Sequence, residues 1–294
     1  SSNALSSGRG PPRRRPSAME APRQVAVVTG GNRGIGYEIV RGCLRAGFHV
    51  ALTARDLGAG QRVAQELGCD VLQLDLTDAE SIAACAGEVR RRYGSVDVLI
   101  NNASMAYKHA DPTPWTQKTR TSVTTNFFGT LAVCEALFPL LKAGGRVVTV
   151  ASSAGHLRLV PSEALYSEFA GADTFLTVPR LAQLMNQFVV DVEACTSTAN
   201  APAADWPHVA KGWPNSAYGM SKLGQIALAK IHARELAGRG VAVNCMCPGS
   251  VATGMNPRGA RTAAQGADTA VWLACQPAAA GTALFFKDRA PVQW

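Results

Sequence analysis

Tyr218-Gly219-Met220-Ser221-Lys222 sets a phenol and an ammonium four positions apart, and on a helix beginning near Ser216 that spacing puts both on one face. A cation beside a phenol favours the phenolate and lowers a pKa that is otherwise about 10. The pair could then give or take a proton near neutral pH. Taken alone the pattern is feeble, because such a pair arises by chance roughly one time in eight in a chain of this composition, and a surface neighbour pair explains it equally well. Three further groups shift that balance. Ser152-Ser153 sits just past an apolar run at 145–150, Asn101-Asn102-Ala103 just past another at 96–100, and Asn126 falls inside the helical stretch between them. A polar residue of modest helix propensity needs a reason to be there, and the ends of such runs are where open α/β sheets bind ligands. Singly, each residue is explained by loop polarity or capping; together they are poorly explained by chance.

A second cluster lies at the other end of the chain. Thr29-Gly30-Gly31-Asn32-Arg33-Gly34-Ile35-Gly36 follows the apolar run 25–28 and opens an amphipathic stretch, the order of strand, glycine turn and helix that starts a dinucleotide site. Gly30, Gly34 and Gly36 let the backbone approach a pyrophosphate, and the helix N-terminus offers free N–H donors and a favourable dipole. The spacing is TGxxxGxG and not GxGxxG, and without a matching downstream segment it is compatible with a plain tight turn. Charge indicates which dinucleotide would fit. NAD-selective sites place an acidic residue after the second strand for the ribose 2′-hydroxyl, whereas this chain has Arg55 there and Arg33 inside the turn. Two guanidinium forks suit a 2′-phosphate, hence NADPH. Asp56, beside Arg55, is expected to point elsewhere.

The elements that must position these groups follow from the apolar pattern. Runs at 25–28, 48–53, 70–74, 96–100, 145–150 and 241–245 alternate with helical stretches, which implies an α/β fold: a doubly wound, Rossmann-type parallel sheet covered on both faces, with right-handed crossovers. A short run at 282–286 is expected to add an edge strand. The rhythm is broken by an insertion at about 154–214, ahead of the tyrosine. Within it Leu181, Leu184, Met185, Phe188, Val189 and Val192 form one apolar helix face, expected to dock on the main body. Residues 201–204 and Trp206-Pro207 read as loop.

With 294 residues, 47% of them hydrophobic, the chain can bury one large core, so a single domain over 19–294 is expected. Apolar runs of about twenty residues are lacking, which argues against a membrane span. The net charge of +8 includes Arg9, Arg13, Arg14 and Arg15 of an acid-free leader, leaving +4 for the rest; no basic stripe with interleaved aromatics suggests nucleic acid. Residues 1–18 are expected to be disordered, either a tag ahead of a native start at Met19 or the remnant of an organelle transit sequence. Eight scattered cysteines without a CxxC pair read as buried thiols of a reduced compartment, and no metal cluster is evident. A cytoplasmic location is expected, or an organelle if the leader is a transit remnant.

Together these residues resemble the short-chain dehydrogenase/reductase family, from about Gln24 to Trp294. The insertion, the stretch 212–219, the segment Asp111-Pro112-Thr113-Pro114-Trp115, Asn126-Phe127-Phe128-Gly129-Thr130 and the ending Val292-Gln293-Trp294 resemble its monomeric, NADPH-dependent carbonyl reductases. The resemblance implies a catalytic tetrad of Asn126, Ser153, Tyr218 and Lys222, with Ser152 as the neighbour of the catalytic serine. Tyr218 would protonate the carbonyl oxygen while Ser153 hydrogen-bonds it. Lys222 would lower the Tyr218 pKa and hold the nicotinamide ribose, and Asn126 would hold a water linking Lys222 to solvent. The implied cofactor contacts are Gly30, Asn32, Arg33, Gly34, Ile35, Gly36, Arg55, the adenine-contacting pair Asp75-Leu76, Asn102, Ala103, Tyr218, Lys222, Pro248, Gly249, Val251 and Thr253. Substrate would meet Ser153, Met105, Trp115, Tyr218 and Ser250. Ser104 stands where the family has glycine and Ser250 where an aromatic is frequent, so an altered pocket is expected. The implied activity is NADPH-dependent reduction of aldehydes, ketones or quinones by a monomer. The alternatives are a reductase-derived scaffold without turnover and a dehydrogenase of one secondary alcohol.

Overall fold

A computed structural model of the chain describes residues 23–108, 111–195, 199, 206–254 and 256–294; the leader 1–18 and the loop residues 201–204 lie outside them. The chain runs β1 (Val25–Val28), α1 (Gly34–Arg45), β2 (His49–Ala54), α2 (Leu57–Leu67), β3 (Asp70–Gln73), α3 (Ala79–Tyr93) and β4 (Val96–Asn101). Next come α4 (Trp115–Ser122), a π-helical turn (Val123–Phe128), α5 (Gly129–Leu137) and β5 (Leu141–Val150). The remainder is α6 (Glu163–Ala170), α7 (Val178–Glu193), the single turn α8 (Pro207–Ala210), α9 (Ala217–Glu235), β6 (Ala242–Met246), α10 (Ala263–Cys275), β7 (Phe285–Lys287) and β8 (Ala290–Val292).

The strands form one sheet in the order β3-β2-β1-β4-β5-β6-β7-β8. All neighbours pair in parallel except β7 and β8. The doubly wound sheet is therefore as expected, and β8 is an antiparallel addition that its short, proline-containing sequence did not signal. Ile39, Val40 and Cys43 of α1 and Ala267, Ala270 and Leu273 of α10 fill one face. The opposite face takes Ile82 and Val89 of α3, Val133 and Leu137 of α5, and Ile226 and Ala229 of α9.

A third apolar cluster joins the insertion to the body. Leu181, Leu184, Met185, Phe188, Val189 and Val192, the stripe visible in the sequence, are all buried on α7 and pack with Met220, Leu223, Ala227 and Ile231 of α9. The insertion holds two more helices than the one expected, α6 and the turn α8. Asp191 of α7 anchors it by accepting from Trp213 Nε1 at 2.8 Å, Lys211 Nζ at 2.6 Å and Gln187 Nε2 at 2.7 Å. Sandwiched between sheet and insertion, α9 is buried from Gly219 through Ala233. Burial on all sides is what a helix without a polar face requires.

The helical run Trp115–Leu140 is long and apolar enough to cross a membrane by length and composition. Its middle is occupied within the fold: Val123, Phe127 and Leu131 belong to the third cluster, and Val133 and Leu137 lie under the sheet.

Candidate active site

The glycine turn closes the carboxyl end of β1. Gly30 and Gly34 have φ of 64° and 55°, which favours glycine at both positions, and a Cβ on Gly36 would lie 2.1 Å from Gly30 O. Helix α1 begins at Gly34 with no side-chain cap and no acidic residue in its first turn. Its first N–H groups and positive dipole end are thus left for an anion. Thr253, on the loop after β6, stands 3.5 Å from where a Gly34 Cβ would project, so that loop and the glycine turn face each other. In the same loop Gly249 has a φ of 77° and lies against Arg261, while Val251 is buried beneath Gly266.

Around the turn the other sequence candidates divide into braces and free groups. Asn102 donates through Nδ2 to Thr29 O at 2.9 Å and Gly30 O at 3.1 Å, and Ala103 N donates to Thr29 Oγ1 at 2.9 Å. Asn102, expected to line a ribose, spends its side-chain amide on holding the turn. Leu76 packs in the core, where Gly129 lets α5 come close, a Cβ there falling 2.7 Å from that of Leu76. Asp75 accepts from Thr77 N at 2.9 Å and Thr77 Oγ1 at 2.7 Å. Burial would raise its carboxyl, but those bonds outweigh burial and hold it below the usual range. Arg33 and Arg55 are exposed, and neither guanidinium is paired with a carboxylate among the described residues. Asp56 does point elsewhere, capping α2 by accepting from Ala59 N at 3.0 Å.

The second half of the site hangs on α9. Ser216 starts that helix by accepting from Gly219 N at 2.9 Å, and Tyr218 and Lys222 follow on one face, with Lys222 Nζ 5.5 Å from the centre of the phenol ring. The turn that ends β5 is pressed against this face. A Cβ on Gly155 would meet Leu223 N and Lys222 C at 2.5 Å, so glycine permits the approach. The Trp294 indole pins the same turn by donating to Gly155 O at 2.8 Å.

The structure favours the other serine. Ser152, not Ser153, is the one whose hydroxyl acts on the Tyr218 phenol, favouring its ionised form. The chain stays extended through Ser152 (φ −167°, ψ 150°), whose hydroxyl also caps the following turn by accepting from Ala154 N at 3.1 Å. Ser153 is already in the turn, exposed, with its backbone N donating to Cys247 Sγ at 3.2 Å.

The expected coupling of phenol and ammonium is also different. Burial pushes the Tyr218 phenol up to about 12, against a lowering by Ser152 and with a small rise from Cys247. Lys222, wholly buried, is pushed down to about 7 by the same loss of solvent. Its Nζ donates to Val150 O at 3.1 Å and Gln225 Oε1 at 2.8 Å, acceptors that hold it below the ring.

Asn126 lies in the π-helical turn, fully buried. Its Oδ1 accepts from Met105 N at 2.8 Å while Nδ2 donates to Met105 O at 2.9 Å and Ser221 Oγ at 3.0 Å. Met105 is thereby tied through Asn126 to Ser221 of α9, three positions after Tyr218. No hydrogen bond or ring contact joins Trp115 or Ser250 to Tyr218, Ser152 or Lys222 among the described residues. Ser250 accepts instead from Asn256 Nδ2 at 3.2 Å. The hydroxyl of Ser104 and the indole N–H of Trp115 are buried without a partner among the described residues.

The profile of the family described as short chain dehydrogenase matches residues 24–194 and 209–263. The chain belongs to the short-chain dehydrogenase/reductase family. Carbonyl reductase [NADPH] 1 of Homo sapiens is 40% identical over 270 residues, spanning 88% of this chain and 93% of that protein. The protein of the same name from Bos taurus is 39% identical over 291 residues, 94% of this chain and 100% of the relative. Among solved structures, salutaridine reductase from Papaver somniferum superposes with a TM-score of 0.77 at 28% identity, covering 90% of this chain and 100% of that one. Menthone neomenthol reductase from Mentha piperita gives 0.73 at 26% identity, covering 90% and 99%.

For a short-chain dehydrogenase/reductase, two site residues escaped the sequence reading. Gln225 lies three positions after Lys222, a polar side chain at the edge of the apolar run Ile226-Ala227-Leu228, and burial of a polar group in such a run signals a specific partner. Cys247, taken as core packing, also accepts from Gly249 N at 3.4 Å. Sulfur next to a Pro-Gly turn carries no readable pattern of that kind.

Proposed function

We propose that this chain reduces small carbonyl compounds to alcohols, with Tyr218 as proton donor and Ser152 as the hydrogen-bonding partner of the reacting oxygen. The observation that supports this most is the placing of Tyr218 and Lys222 on one face of α9, Nζ 5.5 Å from the ring centre, with the turn that follows Ser152 pressed against that face, at the carboxyl end of the sheet that also carries the glycine turn. The cofactor is NADPH, which when bound supplies the hydride. The uncapped α1 terminus suits its pyrophosphate, and the exposed Arg33 and Arg55, in no ion pair among the described residues, suit its 2′-phosphate. A phenol held at about 12 keeps its proton at neutral pH, so it enters the reaction as the acid, and charge developing on the substrate oxygen is met by two hydroxyl donors. Aldehydes, ketones and quinones are the proposed substrate class, and the curated relatives named carbonyl reductase [NADPH] 1 support it.

The test follows NADPH absorbance against a panel of quinones, vicinal diketones and aliphatic aldehydes, with Tyr218→Phe alongside the parent. The phenylalanine keeps the ring and the fold but removes the proton. It should bind NADPH as the parent does and lose about 10²- to 10⁴-fold in kcat. Undiminished turnover by Tyr218→Phe on a good substrate would refute the assignment.

A further inference from the structure

Lys222 is the buried cation of the site, and the partner of its ammonium is itself unusual. Gln225 is 1% exposed, and a carboxamide so placed is tolerated only if its hydrogen bonds are made. They are. Oε1 accepts from Lys222 Nζ at 2.8 Å, and Nε2 donates to Asn126 O at 2.8 Å and Thr130 Oγ1 at 2.9 Å. Thr130 Oγ1 in turn donates to Asn126 O at 2.7 Å. The reverse orientation of the amide would set N–H groups against an ammonium and oxygen against a carbonyl, so its partners fix it.

The sequence resemblance led to a water between Asn126 and Lys222; the carboxamide of Gln225 spans those two groups instead. The difference is chemical. A water accepts and donates through one oxygen and can hand a proton onward. An amide accepts only at oxygen and donates only at nitrogen, and here both N–H bonds of Nε2 are committed to acceptors that do not titrate. We propose that Gln225 is a positioning residue that takes the place of a relay water: its carboxamide, anchored on Asn126 O, fixes the Lys222 ammonium between Val150 O and its own Oε1 and closes that side of it to proton transfer. Tyr218, having given its proton to the substrate oxygen, is then reloaded from water in the cleft, with no proton passed through Lys222 toward Asn126. The titratable groups facing Nζ are Tyr218 on its own helix and Cys247 after β6.

The inference rests on the reductase reading for its kinetic arm, and its other arm needs no turnover. In cofactor-free protein labelled at the lysine Cε carbons, with the Lys222 signal assigned by Lys222→Met, the midpoint of that signal is followed in parent and Gln225→Val. Valine removes the acceptor that favours the charged form, so Lys222 should titrate about one pH unit lower. Coincident midpoints would overturn the positioning role. In the parent, a proton inventory of single-turnover reduction in mixed H₂O and D₂O should be linear, one proton being in flight. A bowed inventory, the mark of a relay, would overturn the closed side, and this measurement stands even if the valine variant does not fold. A parent that reduces nothing would sink the reductase reading while leaving the lysine titration to judge Gln225.

Discussion

Ser152 and Ser153 are neighbours of one chemical type, and only the conformation of the strand end separates their surroundings. The extended Ser152 reaches Tyr218 while the turn carries Ser153 into solvent. Ser152→Ala should therefore lower kcat by about 10²- to 10³-fold, the usual loss for one preorganised donor to a developing oxyanion, whereas Ser153→Ala should stay within about threefold of the parent, as an exposed polar truncation does. Steady-state kinetics on one substrate decides between them, and the reverse ranking would reinstate Ser153. The placement of Tyr218 and Lys222 on one helix face and of the glycine turn after β1 was legible because each rests on a fixed spacing, four positions on a helix or a strand followed by glycines. The choice between adjacent serines was not, since it depends on where β5 stops being extended. Gln225 was missed for a related reason: its meaning comes from Asn126 and Thr130, distant in sequence.

Among the elements, α7 shows what a periodic signal does and does not carry. Its apolar stripe predicted both the helix and its docking. What fixes it in place, the Asp191 carboxylate, reads in sequence as one more surface acid. Burial alone would raise that carboxyl, yet the hydrogen bonds from Lys211, Trp213 and Gln187 prevail and keep it low. Asp191→Ala would leave the buried Trp213 indole N–H without its acceptor, at a cost of about 2 to 4 kcal/mol. Urea unfolding followed by tryptophan fluorescence should show the unfolding free energy fall by that much, and a loss below about 0.5 kcal/mol would remove Asp191 from this role. The π-helical turn at Asn126 lies beyond sequence reading altogether, because one widened turn leaves no period to detect.

At the scale of the molecule, the insertion occupies the outer face of α9 with its own apolar side chains. Little of that helix remains for a subunit contact. A monomer is the expected state, and sedimentation showing a stable dimer or tetramer at micromolar concentration would contradict it. Acid stability has an identifiable weak point. His232, packed edge-on to Phe138 at 4.7 Å, is pushed down from 6.5 to about 4 by burial. The unfolded chain binds a proton there first, so the native state loses stability as pH falls from about 6.5 toward 4 and keeps it in full above that window. The loss is on the order of 3 kcal/mol. His232→Phe should flatten that part of the stability profile, measured by urea denaturation at a series of pH values; an unchanged slope would assign the acid sensitivity elsewhere.

The strand order also has a consequence for how the protein is made. β1 sits between β2 and β4 in the sheet, and its end is sealed by Thr29 bonding to Ile100, 71 positions further along. A ribosome therefore releases β1, β2 and β3 as a three-stranded fragment whose apolar β1 edge has no neighbour until β4 has been synthesised. For that interval the nascent chain carries an open, aggregation-prone strand edge. Slowing translation between β3 and β4 would lengthen the exposure, whereas a pause placed after Asn101 has cleared the exit tunnel would let the edge close first.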